Sequence, residues 1–88
     1  MRRHALVTGG GGGIGAATAR ALAEQGCRVA VAYRNRETEA RRLADELGGL
    51  AVRLDLEDTG QIREVAEQVE AELGSVDILV HNAGMIKD

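Results

Sequence analysis

The chain has 88 residues with 14 acidic and 11 basic side chains, a net charge of −3 and 44% hydrophobic residues, enough for one small domain with a thin core, since a chain this short buries only about 60% of its unfolded surface. Tyr33 is the sole aromatic and Phe, Trp and Pro are absent, so the core falls to Val, Leu, Ile and Ala. The acidic balance excludes a nucleic-acid surface, which needs clustered Lys and Arg beyond Arg2 and Arg3; the single Cys27 excludes an internal disulfide, and without a signal peptide or an apolar run near the ~18 residues of a membrane helix the expected location is cytoplasmic.

His4 to Gly9 reads as a buried strand, followed by five consecutive glycines, Gly9 to Gly13, and an alanine-rich helix from Ile14 to Gln25 ended by Gly26. Arg28 to Tyr33 is a second strand, with Cys27 at its start as a small buried hydrophobe. Asn35 is the expected N-cap of a helix reaching Leu47, with Ala40, Leu43, Ala44 and Leu47 on one face and Glu37 and Arg41 paired at i,i+4 on the other. Gly48-Gly49 closes it. Leu50 to Leu54 makes a third strand. Asp58 and Gln61 form a capping-box pattern for a helix to Leu73 with Ile62, Val65, Ala66, Val69 and Leu73 as its buried stripe. Val76 to Val80 is the fourth strand, and Asn82-Ala83-Gly84 follows it.

Strands alternating with helices imply parallel pairing and right-handed crossovers. The expected fold is α/β, three layers, with four parallel strands in the order 3-2-1-4, an incomplete doubly wound sheet whose crevice lies between strands 1 and 4. Helices 1 and 2 fall on one face and helix 3 alone on the other, leaving apolar surface beside strands 1 and 4 and an unpaired edge on strand 4.

A glycine costs roughly 1 kcal/mol of backbone entropy relative to alanine, so five in a row need a geometric reason. Close approach of the backbone and of a helix N-terminus to a pyrophosphate supplies one. The pattern G-x-G-x-x-G on Gly10, Gly12 and Gly15 is nearly guaranteed in such a run. Thr8-Gly9-Gly10-Gly11-Gly12-Gly13-Ile14-Gly15, read as T-G-x-x-x-G-I-G, is sharper; the bland reading is a flexible glycine linker. A triphosphate-hydrolysing loop would need Gly-Lys-Ser/Thr where Gly15-Ala16-Ala17 stands.

The glycine loop and Asn82-Ala83-Gly84 after Ile78-Leu79-Val80 together resemble the short-chain dehydrogenase/reductase family, over essentially the whole chain and most closely its 3-oxoacyl-[acyl-carrier-protein] reductase branch. His81 stands where the family has the first Asn of N-N-A-G. The resemblance implies a Rossmann-type domain, of which residues 1–88 are the N-terminal part. It also implies that Gly9, Gly10, Gly11, Gly12, Gly13, Ile14 and Gly15 surround the pyrophosphate, that Asp55 and Leu56 meet the adenine, and that Asn82, Ala83 and Gly84 border the ribose on the nicotinamide side. Asp55 read alone would merely open a turn.

At the end of strand 2 the acid that binds a ribose 2′-OH in NAD sites is missing, and Arg34 offers a fork of donors to a 2′-phosphate, so NADP(H) is expected over NAD(H). A solvated arginine is the bland alternative. Family members preferring NADP(H) carry a second basic residue where this chain has Gly12, so the preference is expected to be modest. The family's catalytic Tyr-x-x-x-Lys has no counterpart: four residues after Tyr33 stands Glu37, and Lys87 lies in the tail. Ser75 precedes strand 4, at the wrong end of the sheet, and His81 reads as structural. The expectation is therefore a cofactor-binding segment, truncated, with no catalytic residue of its own, belonging to a reductase that acts on a ketone. The rival is a non-catalytic nucleotide-binding or assembly module that pairs with itself or a second polypeptide through strand 4.

Overall fold

A computed structural model describes residues 3–9, 13–54 and 59–81. The elements are β1 (His4–Thr8), α1 (Gly13–Glu24), β2 (Arg28–Tyr33), α2 (Glu37–Leu47), β3 (Leu50–Arg53), α3 (Thr59–Leu73) and β4 (Ile78–His81). The sheet order is β3-β2-β1-β4, all pairs parallel, as the alternation of elements requires. Every strand therefore ends at one edge of the sheet. Thr8 lies opposite Ala32 on one side and His81 on the other, and Tyr33 lies opposite Arg53.

Side-chain alternation along the strands divides the core in two. Val7, Val29, Val31 and Tyr33 pack with Ala19 of α1 and Ala40 and Leu43 of α2. On the other face Leu6, Ala30, Ala32, Val52 and Leu54 pack with Val65 and Val69 of α3. Two helices thus cover one face and one covers the other. Of the stripe expected on α3, Val65 and Val69 are buried, Ala66 and Leu73 are half-buried, and the Ile62 side chain lies outside the described residues.

β1 ends at Thr8 rather than Gly9, α1 runs Gly13–Glu24 rather than Ile14–Gln25, and β3 ends at Arg53 rather than Leu54, shifts of one residue; other differences from the sequence reading have a structural reason. The N-cap of α2 is Arg36 rather than Asn35, with φ −100°, ψ 61° and no side-chain cap; the chain needs one more residue to leave β2 before helical geometry begins. β4 begins at Ile78 because its ladder starts opposite Ala5, while Val76 is half-buried against the α3-side core before the strand. Cys27 precedes β2 and is half-buried against the α1/α2-side core. Gly48 ends α2 at φ 68°, a left-handed turn, as expected of glycine there. No helix among the described residues is long and apolar enough to cross a membrane.

Candidate functional site

The site is built where β1 hands over to α1. Thr8 is buried, and its hydroxyl donates to the Val80 carbonyl at 3.4 Å, linking β1 to β4 at the point where strand order reverses. Gly9 then turns at φ 69° and its N–H donates to the Ala32 carbonyl at 3.0 Å. That donor is committed to the sheet, so Gly9 contributes the turn and not a free N–H.

The chain re-enters the described region at Gly13, with φ 57°. A Cβ built there would meet nothing within 4 Å among the described residues, so the demand for glycine is conformational. Gly13, Ile14 and Gly15 open α1, so their N–H groups lack acceptors within the helix. No acid stands in that first turn to neutralise the positive helix end. Gly15 is buried against the sheet, the Ile14 side chain is 66% exposed, and the Thr18 hydroxyl donates to the Ile14 carbonyl at 2.8 Å. A helix start of this kind, with no acid in its first turn and with free backbone donors, fits a pyrophosphate.

The neighbouring strands bring their ends to the same edge. The Leu54 N–H donates to the Tyr33 carbonyl at 2.7 Å, pinning β3 to β2 at the position just before Arg34. Arg34 is exposed in the three-residue junction between β2 and α2, together with Asn35 and Arg36. Gly10, Gly11, Gly12, Asp55, Leu56, Asn82, Ala83 and Gly84 lie outside the described residues, as does the side chain of His81. The structure therefore brings Gly9, Gly13, Ile14, Gly15 and Arg34 to one edge of the sheet.

Two arginines on the helices, Arg20 and Arg41, are neutralised. Arg41 Nε donates to Glu37 Oε2 at 2.7 Å, and that hydrogen bond, with the nearby Tyr33 and the Glu37 charge, raises the Arg41 pKa. Arg20 donates through Nε and Nη2 to the two oxygens of Glu46, at 3.0 and 3.4 Å, which holds the Glu46 carboxyl below its ordinary range. Arg36 makes no ion pair among the described residues. The sequence signal that points to it is the repeat Arg34-Asn35-Arg36.

Ser75, His4 and Asp77 meet at the opposite, amino-terminal edge, but their contacts run through the backbone. The His4 ring bonds to the Ser75 carbonyl through Nδ1 at 3.0 Å, and Asp77 Oδ2 accepts from the His4 backbone N–H at 3.0 Å. This is a clip between β1 and the α3–β4 turn, with no nucleophile–base contact. Among the described residues no group of three or more His, Cys, Asp or Glu could hold a metal ion.

Comparison with known proteins adds the family. The family model described as short chain dehydrogenase matches residues 3–88. An acetoacetyl-CoA reductase of Shinella zoogloeoides is 42% identical over 88 residues, all of this chain and 36% of its own length. A 3-oxoacyl-[acyl-carrier-protein] reductase, FabG, of Staphylococcus epidermidis is 37% identical over 93 residues, covering all of this chain and 38% of that protein. The crystal structure of a blue fluorescent protein from a metagenomic library, in complex with NADPH, superposes with a TM-score of 0.86 at 41% identity, covering 92% of this chain and 36% of that one. The chain thus spans little more than a third of the curated relatives it matches.

Proposed function

We propose that this chain, which belongs to the short chain dehydrogenase family, is the NADP(H)-binding segment of a reductase whose complete form moves hydride between NADPH and a ketone or alcohol. The observation that carries this reading is the convergence of the Gly13–Gly15 helix start, the Gly9 turn and Arg34 on the edge where strand order reverses. Gly13, Ile14 and Gly15 would hold the pyrophosphate and Arg34 the 2′-phosphate; Asp55 and Leu56 would meet the adenine, and Asn82, Ala83 and Gly84 the nicotinamide-side ribose. The bound cofactor supplies the hydride, and the chain's own residues bind and orient it. The names of the two reductase relatives support a 3-oxoacyl thioester as the substrate class.

Titration of the complete polypeptide with NADPH and NADH, followed by nicotinamide fluorescence, tests the reading. NADPH should bind more tightly, and Arg34→Ala should cut the NADPH-to-NADH ratio by about 10-fold, the worth of a hydrogen bond to a charged group. A ratio that Arg34→Ala leaves intact removes the 2′-phosphate assignment. Absence of any binding removes the cofactor reading altogether.

A second reading, self-association through β4, is favoured by β4 being an edge strand of the sheet, with Leu79 exposed on its face. Light scattering decides it: a stable dimer supports pairing through β4, and a well-folded monomer counts against it.

A further inference from the structure

We infer that Arg36 is a second cation for the 2′-phosphate, closing on it from the α2 side while Arg34 approaches from the end of β2; the inference rests on the NADP(H) reading above. The two residues are separated only by Asn35, so their Cα atoms stand at most about 7 Å apart and both side chains leave the same exposed junction. That junction lies at the carboxyl edge of the sheet, beside the strand end pinned by the Leu54–Tyr33 bond.

Arg36 is poorly suited to a purely structural role. It occupies the N-cap of α2 without supplying a side-chain cap, where Ser, Thr, Asp or Asn would satisfy a free N–H. Its charge also sits at the positive end of the helix, where a cation is unfavourable. Residues that break a local rule in this way are found at functional sites.

Among the described residues, the nearby carboxylates do not neutralise it. Glu37 is engaged by Arg41 at 2.7 Å, and Glu39, the other acid of the first turn, makes no ion pair with it. Arg36 therefore presents a planar fork of donors without a carboxylate partner among the described residues, and a phosphate is the group such a fork matches.

The test uses the complete polypeptide with Arg36→Ser, which replaces the guanidinium by a favourable cap residue, and with Arg42→Gln, an exposed arginine further along α2, as the control for general charge. Affinities for NADPH and NADH are measured with the thermal midpoint. Arg36→Ser should weaken NADPH by roughly 3- to 10-fold, leave NADH unchanged and leave the midpoint equal or higher; Arg42→Gln should leave the ratio alone. Equal weakening of both cofactors with a lowered midpoint would mark Arg36 as structural and overturn the inference. So would equal effects of Arg36→Ser and Arg42→Gln on the ratio. An unchanged ratio in Arg36→Ser, with Arg34→Ala still lowering it, overturns this inference and leaves the cofactor reading standing. An unchanged ratio in both removes the two together.

Discussion

Neighbouring glycines in this chain do different work. Gly48 turns left-handed at φ 68° with open space where a Cβ would go. Gly49 has no such φ, but its backbone lies against the Val29 carbonyl, which an added Cβ would overlap. Gly48→Asn should thus be close to neutral, since Asn tolerates the left-handed region. Gly49→Ala should cost about 1–3 kcal/mol, because backbone must shift to admit the methyl group. Urea unfolding of the two variants checks this, and equal effects would overturn the crowding argument. Sequence reading gave both residues one role, closing a helix, because local pattern reports the turn and not what crosses over it.

At the scale of elements, the same chain shows how far periodicity reaches. The faces of α2 and α3 and the Glu37–Arg41 pair follow from spacing alone, since residues three and four apart share a helix face. The clasp between α1 and α2 does not, because Arg20 and Glu46 are 26 positions apart. Its pH dependence has a definite sign. Arg20 lowers the Glu46 pKa through its hydrogen bond and charge, so the clasp stabilises above the ordinary carboxylate range and is lost as pH falls through the lowered value. Both side chains are 51% exposed, so the effect should be small and weakened by salt. Thermal unfolding of wild type and Glu46→Gln should show a gap near neutrality that closes on acidification. A gap constant with pH would mean the clasp is not electrostatic. The N-cap of α2 falls at Arg36 rather than Asn35 because capping preference ranks side chains, while the backbone leaving β2 sets where the helix starts.

On the scale of the whole molecule, coverage of the sheet is unequal. Leu79 lies opposite Leu6, whose side chain belongs to the α3-side core, yet Leu79 is 62% exposed. If the complete polypeptide is the longer reductase proposed above, this face is covered there, and Leu79→Ala in that polypeptide should cost about 2–5 kcal/mol. A loss within about 0.5 kcal/mol in chemical denaturation would show the face open to solvent. Strand and helix types, the sheet order, the glycine turn and the lack of a Tyr-x-x-x-Lys pair were all determined by sequence, because each depends on residue type, short spacing or the fixed hand of crossovers. Only the tertiary structure decided that the Gly9 N–H is spent on Ala32, that Arg20 and Arg41 are neutralised while Arg36 makes no ion pair among the described residues, and that His4 is clipped to Ser75 across 71 positions. Those outcomes depend on strand register and on contacts between elements far apart in the chain, which no local pattern encodes.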